Sequence, residues 1–232
     1  MLSLPSECLS HETVQRFRDG GNLPLGYGVA ASERAIEYPF LLSCLPADGG
    51  RLLDAGSALN HHELLSMPWA KDFDIHILSA GPEKECYYQQ GISYLYADIR
   101  DIPTRDNYYD VVVCCSTLEH VGADNSIYGG AKENDIYAYI PAVWEMHRVI
   151  RPGGTFILTV PYGMYQHHGW FQNYSRSLLV DALFPFAENN ATERYDIYEI
   201  SPTGWQRVKE SFAIYQLHEH RAGAVACVCV TK

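Results

Sequence analysis

Two ionisable side chains stand together in Ser116-Thr117-Leu118-Glu119-His120-Val121-Gly122, directly after the apolar run Tyr109–Cys115. An imidazole titrates near neutrality, so His120 is a candidate general base and Glu119 a candidate to orient it. A structural histidine or a helix-capping pair is the alternative. Earlier in the chain, Ala97-Asp98-Ile99-Arg100-Asp101 follows another short apolar run. An acid there can accept a hydrogen bond from the exocyclic amine of an adenine while the Ile99 amide meets a ring nitrogen; a solvated loop acid is the alternative. Asp54-Ala55-Gly56-Ser57-Ala58-Leu59-Asn60 follows Arg51-Leu52-Leu53. Gly56 lets backbone approach a ligand, and a helix beginning after it offers free amides. A plain strand-to-helix turn reads the same. Pro161-Tyr162-Gly163 and the ring-rich stretch His167–Tyr174 add Tyr162 and His167 as further catalytic candidates. So many rings are costly to expose, so that loop either packs down as a lid or lines a pocket.

Other groupings carry less. His61-His62-Glu63, His167-His168 and His218-Glu219-His220 lack the spacing of a closed metal site, so no metal is expected. Tyr128 and Lys132 have the spacing of a short-chain dehydrogenase pair, but Gly129 and Gly130 between them oppose the helix that pair requires. The 17 Lys and Arg against 28 Asp and Glu leave a net charge of −11, which supplies no basic footprint for nucleic acid or an anionic membrane. No apolar run approaches bilayer length and no signal peptide is evident. Seven cysteines without a Cys-x-x-Cys pair fit a reduced, cytoplasmic chain with buried thiols. Sequons at Asn173 and Asn190 carry no weight in that setting.

The elements that must position these residues alternate. Helices are expected over 31–45, with Ser32 as N-cap, and over 60–67, 82–90, 135–150 (with Pro141 as a kink) and 175–184. Strands are expected over 51–56, 73–78, 92–96, 109–115, 155–160, 192–200 and 224–230, with Arg151-Pro152-Gly153-Gly154 as a tight turn into the fifth. The pattern predicts a doubly wound α/β fold with a mostly parallel, seven-stranded, Rossmann-like sheet. Residues 1–48 form a helical N-terminal cap or arm and 49–232 the main body of one structural domain. Ligands of such sheets lie beyond the carboxyl ends of the strands.

The succession resembles the class I S-adenosylmethionine-dependent methyltransferases. Leu53-Asp54-Ala55-Gly56-Ser57 stands as the first motif and Ala97-Asp98-Ile99 as the adenine-edge motif. Tyr109–Val113 runs into Ser116-Thr117-Leu118-Glu119-His120-Val121, and about thirty residues on comes Arg151-Pro152-Gly153-Gly154 before a strand. The resemblance covers roughly residues 50–162 and is nearest the small-molecule branch, including sugar and polysaccharide modification. It implies S-adenosyl-L-methionine as cofactor, held by Asp54, Gly56, Ser57, Ala58, Asn60, Ser79, Asp98, Ile99, Ser116 and Thr117. It implies methyl transfer to an oxygen or nitrogen of a small molecule, a sugar or glycan precursor among the options.

Three positions depart from the family pattern. The later glycines of the first motif fall at Ala58 and Asn60, and the acid that usually meets the ribose is replaced by Ser79. Asn60, His61, His62 or Glu63 offer substitutes toward the ribose or the methionine end. Arg34 and Glu37, on the first long helix, can cap the site or form a surface ion pair. The rival reading is a non-catalytic binding or scaffold protein that keeps the fold with a degenerate cofactor site.

Overall fold

The structure, a computed structural model, describes residues 6–126, 132–187, 193–216 and 221–232. Strands β1 (Gly50–Ala55), β2 (Phe73–Ser79), β3 (Ser93–Tyr96), β4 (Tyr109–Cys115) and β5 (Ile150–Pro161) are parallel neighbours in the order β3-β2-β1-β4-β5. A two-stranded hairpin of β6 (Gln166–His167) and β7 (Gln172–Asn173) stands apart. Beyond β5 the sheet continues antiparallel through β10 (Ala224–Thr231), β8 (Glu193–Ser201) and β9 (Gly204–Val208). The helices are α1 (His11–Arg18), α2 (Arg34–Cys44), α3 (His62–Leu65), α4 (Tyr139–Val149) and α5 (Arg176–Leu183).

The apolar run of β4 is long because both faces of the strand are covered. Val111, Val113 and Cys115 join the core beneath α2, while Val112 and Cys114 join the core beneath α4 and α5. The chain winds outward through β1, β2 and β3, then returns to lay β4 on the other side of β1. That reversal opens a crevice at the carboxyl ends of β1 and β4. Helix α2 runs against this face with Ala35 to Ser43 all buried, so the arm is part of the core.

Several expected elements take a different form. Only Tyr88–Gln90 of the expected 82–90 helix is helical, as a single 3-10 turn. The backbone of that segment is engaged from outside. Asn60 Nδ2 donates to the Glu85 carbonyl at 3.0 Å, and the Tyr87 amide donates to the Tyr94 hydroxyl at 2.8 Å. Helix α4 starts at Tyr139, which puts Pro141 in the first turn, where a missing amide hydrogen costs nothing and no kink is needed. The Arg151–Gly154 stretch lies inside β5 and not ahead of it, with Gly153 at φ 73°. Glu33, not Ser32, is the N-cap of α2. The sheet has an eighth strand, β9, whose polar residues Gln206 and Arg207 hide it from a hydrophobicity reading.

No helix among the described residues is long and apolar enough to cross a membrane. Those residues also hold no cluster of three metal-ligating side chains. Tyr128 to Ala131, His218 to His220 and Asn190 lie outside the described residues.

Candidate functional site

A cavity of about 520 Å³ opens at the reversal point. Its floor begins in the turn after β1. Asp54 is fully buried and accepts hydrogen bonds from the amides of Ala58 at 3.2 Å and Leu59 at 2.7 Å, which fixes the loop. Burial outweighs those two amides and pushes its pKa up to about 7. Gly56 has φ 127°, and a Cβ there would collide with the Thr117 side chain from the β4 loop. Only glycine lets the two loops approach so closely. Ser57 and Ser116 both hold positive φ values, 63° and 42°, at the ends of β1 and β4. Strain of this kind concentrates where backbone must face a ligand.

Helix α2 closes one end. Arg34 lines the cavity, with its Nη1 on Glu37 Oε2 at 2.6 Å, and Tyr38 donates to the Ala58 carbonyl at 3.0 Å. Glu37 is fully buried, and its Oε1 accepts from Ser116 Oγ at 2.5 Å and Thr159 Oγ1 at 2.9 Å. One carboxylate therefore ties α2 to the ends of β4 and β5. Arg34 and Glu37 form a helical ion pair, but a half-buried one built into the site wall rather than a solvated surface pair.

The opposite end is acidic. Asp98 accepts from the Arg100 amide at 2.8 Å and from the Arg100 guanidinium at 2.6 to 3.0 Å. These bonds hold its carboxyl below the usual range. The same guanidinium reaches Glu133 at 2.7 and 2.8 Å, joining the end of β3 to the segment beyond β4. Ile99, Ala97, Ser79 and Glu83 complete this wall.

His120 lines the same cavity. Its Nδ1 lies 2.9 Å from the Trp170 carbonyl and its ring stacks on Trp170 with centroids 5.3 Å apart. A carbonyl only accepts, so Nδ1 carries the hydrogen and Nε2 the lone pair of the neutral ring. Burial lowers the His120 pKa and favours that neutral form. Glu119 turns away from the cavity into the core, where burial pushes its carboxyl up to about 8 and its Oε2 has no hydrogen-bond partner among the described residues.

The structure brings Gly56, Ser57, Ala58, Ser79, Asp98, Ile99, Ser116, Thr117 and His120 to one cavity. Asp54 and Asn60 stand behind that wall as anchors. Two catalytic candidates lie elsewhere. Tyr162 is buried, with its hydroxyl donating to Glu210 at 2.5 Å, and His167 is exposed on the β6–β7 hairpin. Neither borders the cavity, because β5 carries its own carboxyl end past it toward the 211–214 segment, where Met164 pairs with Ala213. The ring-rich loop packs down: Phe171 and Tyr174 are buried, and the loop reaches the site through the Trp170 contact with His120. Sequence reasoning missed Glu83, Arg100, Glu133 and Tyr38 as lining residues. The helix expected over 82–90 concealed Glu83, and nothing in the sequence joins Arg100 to Glu133 across 33 residues.

The residues present fit a ligand with an adenosine at one end and an amino acid at the other. Ser57 Oγ is buried at the wall without a partner among the described residues, and the lining offers both a guanidinium, Arg34, and carboxylates, Glu83 and Asp98.

Residues 72–158 match a family model described as a methyltransferase domain. No curated protein matches the chain by sequence. Among solved structures, the [4+2]-cyclase SpnF is similar at 15% identity and a TM-score of 0.57, over 95% of this chain and 92% of that one. The 1,6-didemethyltoxoflavin-N1-methyltransferase of Burkholderia thailandensis, solved with 1,6-didemethyltoxoflavin and S-adenosylhomocysteine, is similar at 14% identity and 0.54, over 100% and 92%. The CurJ carbon methyltransferase is similar at 11% identity and 0.50, over 86% of this chain and 54% of that one. Residues 72–158 thus carry a methyltransferase-domain match, and the sheet order is that of the fold these solved structures share.

Proposed function

We propose that this protein transfers a methyl group to a hydroxyl or amine of a small molecule. The observation that carries the reading is that Arg34, Asp98 and His120 all line one cavity. S-adenosylmethionine, when bound, supplies an already activated methyl group. The protein's work is then alignment, exclusion of water and removal of a proton. Arg34 and Ser57 hold the amino-acid carboxylate, and Asp98 with the Ile99 amide holds the adenine edge. The neutral His120 takes the proton of an acceptor hydroxyl at Nε2. A built-in base favours a hydroxyl acceptor, of which a sugar or glycan precursor is one class. Asp54 and Glu37 are positioning residues, the first for the β1 loop and the second for Ser116.

Ala58, Asn60 and Ser79, in place of two glycines and an acid, support a second reading: a non-catalytic binding or scaffold protein that has kept the fold and lost the cofactor site. The cyclase neighbour shows that this fold hosts more than one function. Ligand-dependent melting separates the readings. At about 100 times its dissociation constant a ligand stabilises by roughly 2.7 kcal/mol, a melting shift of very roughly 5–11 °C for a chain of this length. On the methyltransferase reading S-adenosylhomocysteine should produce that shift and NAD should not. The absence of any shift at millimolar S-adenosylhomocysteine overturns the methyltransferase reading.

A further inference from the structure

We propose, resting on the cofactor reading above, that the acid missing at Ser79 has moved to Glu83, and that Asn60 holds it in place. Two of the three departures from the family pattern, at Asn60 and Ser79, are then two halves of one arrangement. Glu83 is half buried although Pro82, Lys84 and Glu85 around it are exposed, so its side chain alone in that stretch turns inward. It lines the cavity beside Ser79, Ala58 and His61. Asn60 Nδ2 donates to Glu83 Oε2 at 3.2 Å and to the Glu85 carbonyl at 3.0 Å, while Asn60 Oδ1 accepts from the Tyr94 hydroxyl at 2.8 Å. That hydroxyl in turn accepts from the Tyr87 amide at 2.8 Å. A glycine at position 60 would make none of the three Asn60 bonds. The segment after β2 would lose its tether to the β1 loop.

The chemistry of Glu83 suits a pair of adjacent hydroxyls. An ionised carboxylate only accepts, and it has room for two donors on each oxygen. Asn60 occupies Oε2, and Oε1 meets no donor among the described residues. A vicinal diol supplies two donors, and a hydrogen bond to a charged acceptor is strong enough to select for them. Ser79, at the strand end, lines the same wall but brings no charge. Glu83 therefore reads the ribose from a loop and not from the strand, with the loop fixed by Asn60 and Tyr94.

Calorimetric binding of S-adenosylhomocysteine and of its 2′-deoxy analogue tests this without any turnover. The wild-type protein should bind the deoxy analogue about 10- to 100-fold more weakly, the range for one hydrogen bond to a charged group. Glu83→Ala should bind S-adenosylhomocysteine more weakly and lose the preference; Glu83→Gln should retain part of it. Asn60→Ala should lower affinity in the wild-type background and have no further effect in Glu83→Ala, because it acts through Glu83. A wild-type preference that survives intact in a folded Glu83→Ala protein overturns the proposal while leaving the cofactor reading standing. An Asn60→Ala loss of equal size in both backgrounds overturns the tether. Failure of the wild-type protein to bind S-adenosylhomocysteine at all overturns both the cofactor reading and this one.

Discussion

His120 Nδ1 and the Trp170 carbonyl, 2.9 Å apart, are fifty residues apart in the chain, and their rings stack as well. This contact fixes the tautomer of the histidine. It also explains why a loop full of rings sits beside the cavity without lining it: Trp170 orients the base from behind.

From that contact follows the first expectation. His120→Gln should leave S-adenosylhomocysteine affinity unchanged and reduce turnover about 100- to 10,000-fold on a hydroxyl acceptor, the usual range for a lost general base. Because burial lowers the His120 pKa, the wild-type rate should rise with pH through a single ionisation below the ordinary histidine value and then level off. Stopped-flow or steady-state rates across pH 5–8 read both effects. Full activity in a folded His120→Gln protein removes the residue from the chemistry, and since Tyr162 and His167 lie away from the cavity they do not replace it.

The strands were the legible part of this molecule, and the reason is physical. Burial on both faces writes a near-continuous apolar run into β4 and β10, and that signal is local. The residues after those strands were legible for the same reason, since a wound sheet places ligands at its carboxyl edge. What the sequence concealed was long-range. The 82–90 segment has a helical composition, but side chains from Asn60 and Tyr94 capture its backbone. The Arg100–Glu133 clamp joins residues whose proximity only the fold creates. Glu119 illustrates the converse error: it is adjacent to His120 in sequence, yet the 3-10 turn Leu118–His120 points the two side chains apart, one to the core and one to the cavity.

Asp98 gives the second expectation. Its carboxylate is 45% exposed and shares Arg100 with Glu133, so its loss should change the melting temperature little. Asp98→Ala should weaken S-adenosylhomocysteine binding by roughly 1–3 kcal/mol through the lost acceptor for the adenine amine. Asp98→Asn, which retains one acceptor oxygen, should fall between. Inosine-based analogues, which lack that amine, should bind wild type and Asp98→Ala equally well. A calorimetric difference between the two proteins for the inosine analogue as large as for the adenosine one would place Asp98 in a purely structural role.

The third expectation concerns Glu119 and stability. Burial holds its carboxyl up at about 8 in the folded chain, against about 4.5 when exposed. Below pH 4.5 both states carry the proton and the folded state bears no penalty from this group. As pH rises from there, the unfolded chain ionises first, so the contribution of Glu119 to stability falls until the folded carboxyl also ionises near pH 8. Each pKa unit of difference is worth about 1.4 kcal/mol. Asp54, raised to about 7 by burial, adds to the slope in the same direction. Glu119→Gln cannot ionise, so its stability relative to wild type should improve steadily between pH 5 and pH 8, whatever the amide costs at the acidic end. Denaturant midpoints of the two proteins, measured in parallel at each pH, isolate this residue from every other titrating group. A constant difference between them across that range would mean that Glu119 keeps an ordinary carboxylate pKa in the fold, and that the desolvation its buried position imposes is offset by a donor.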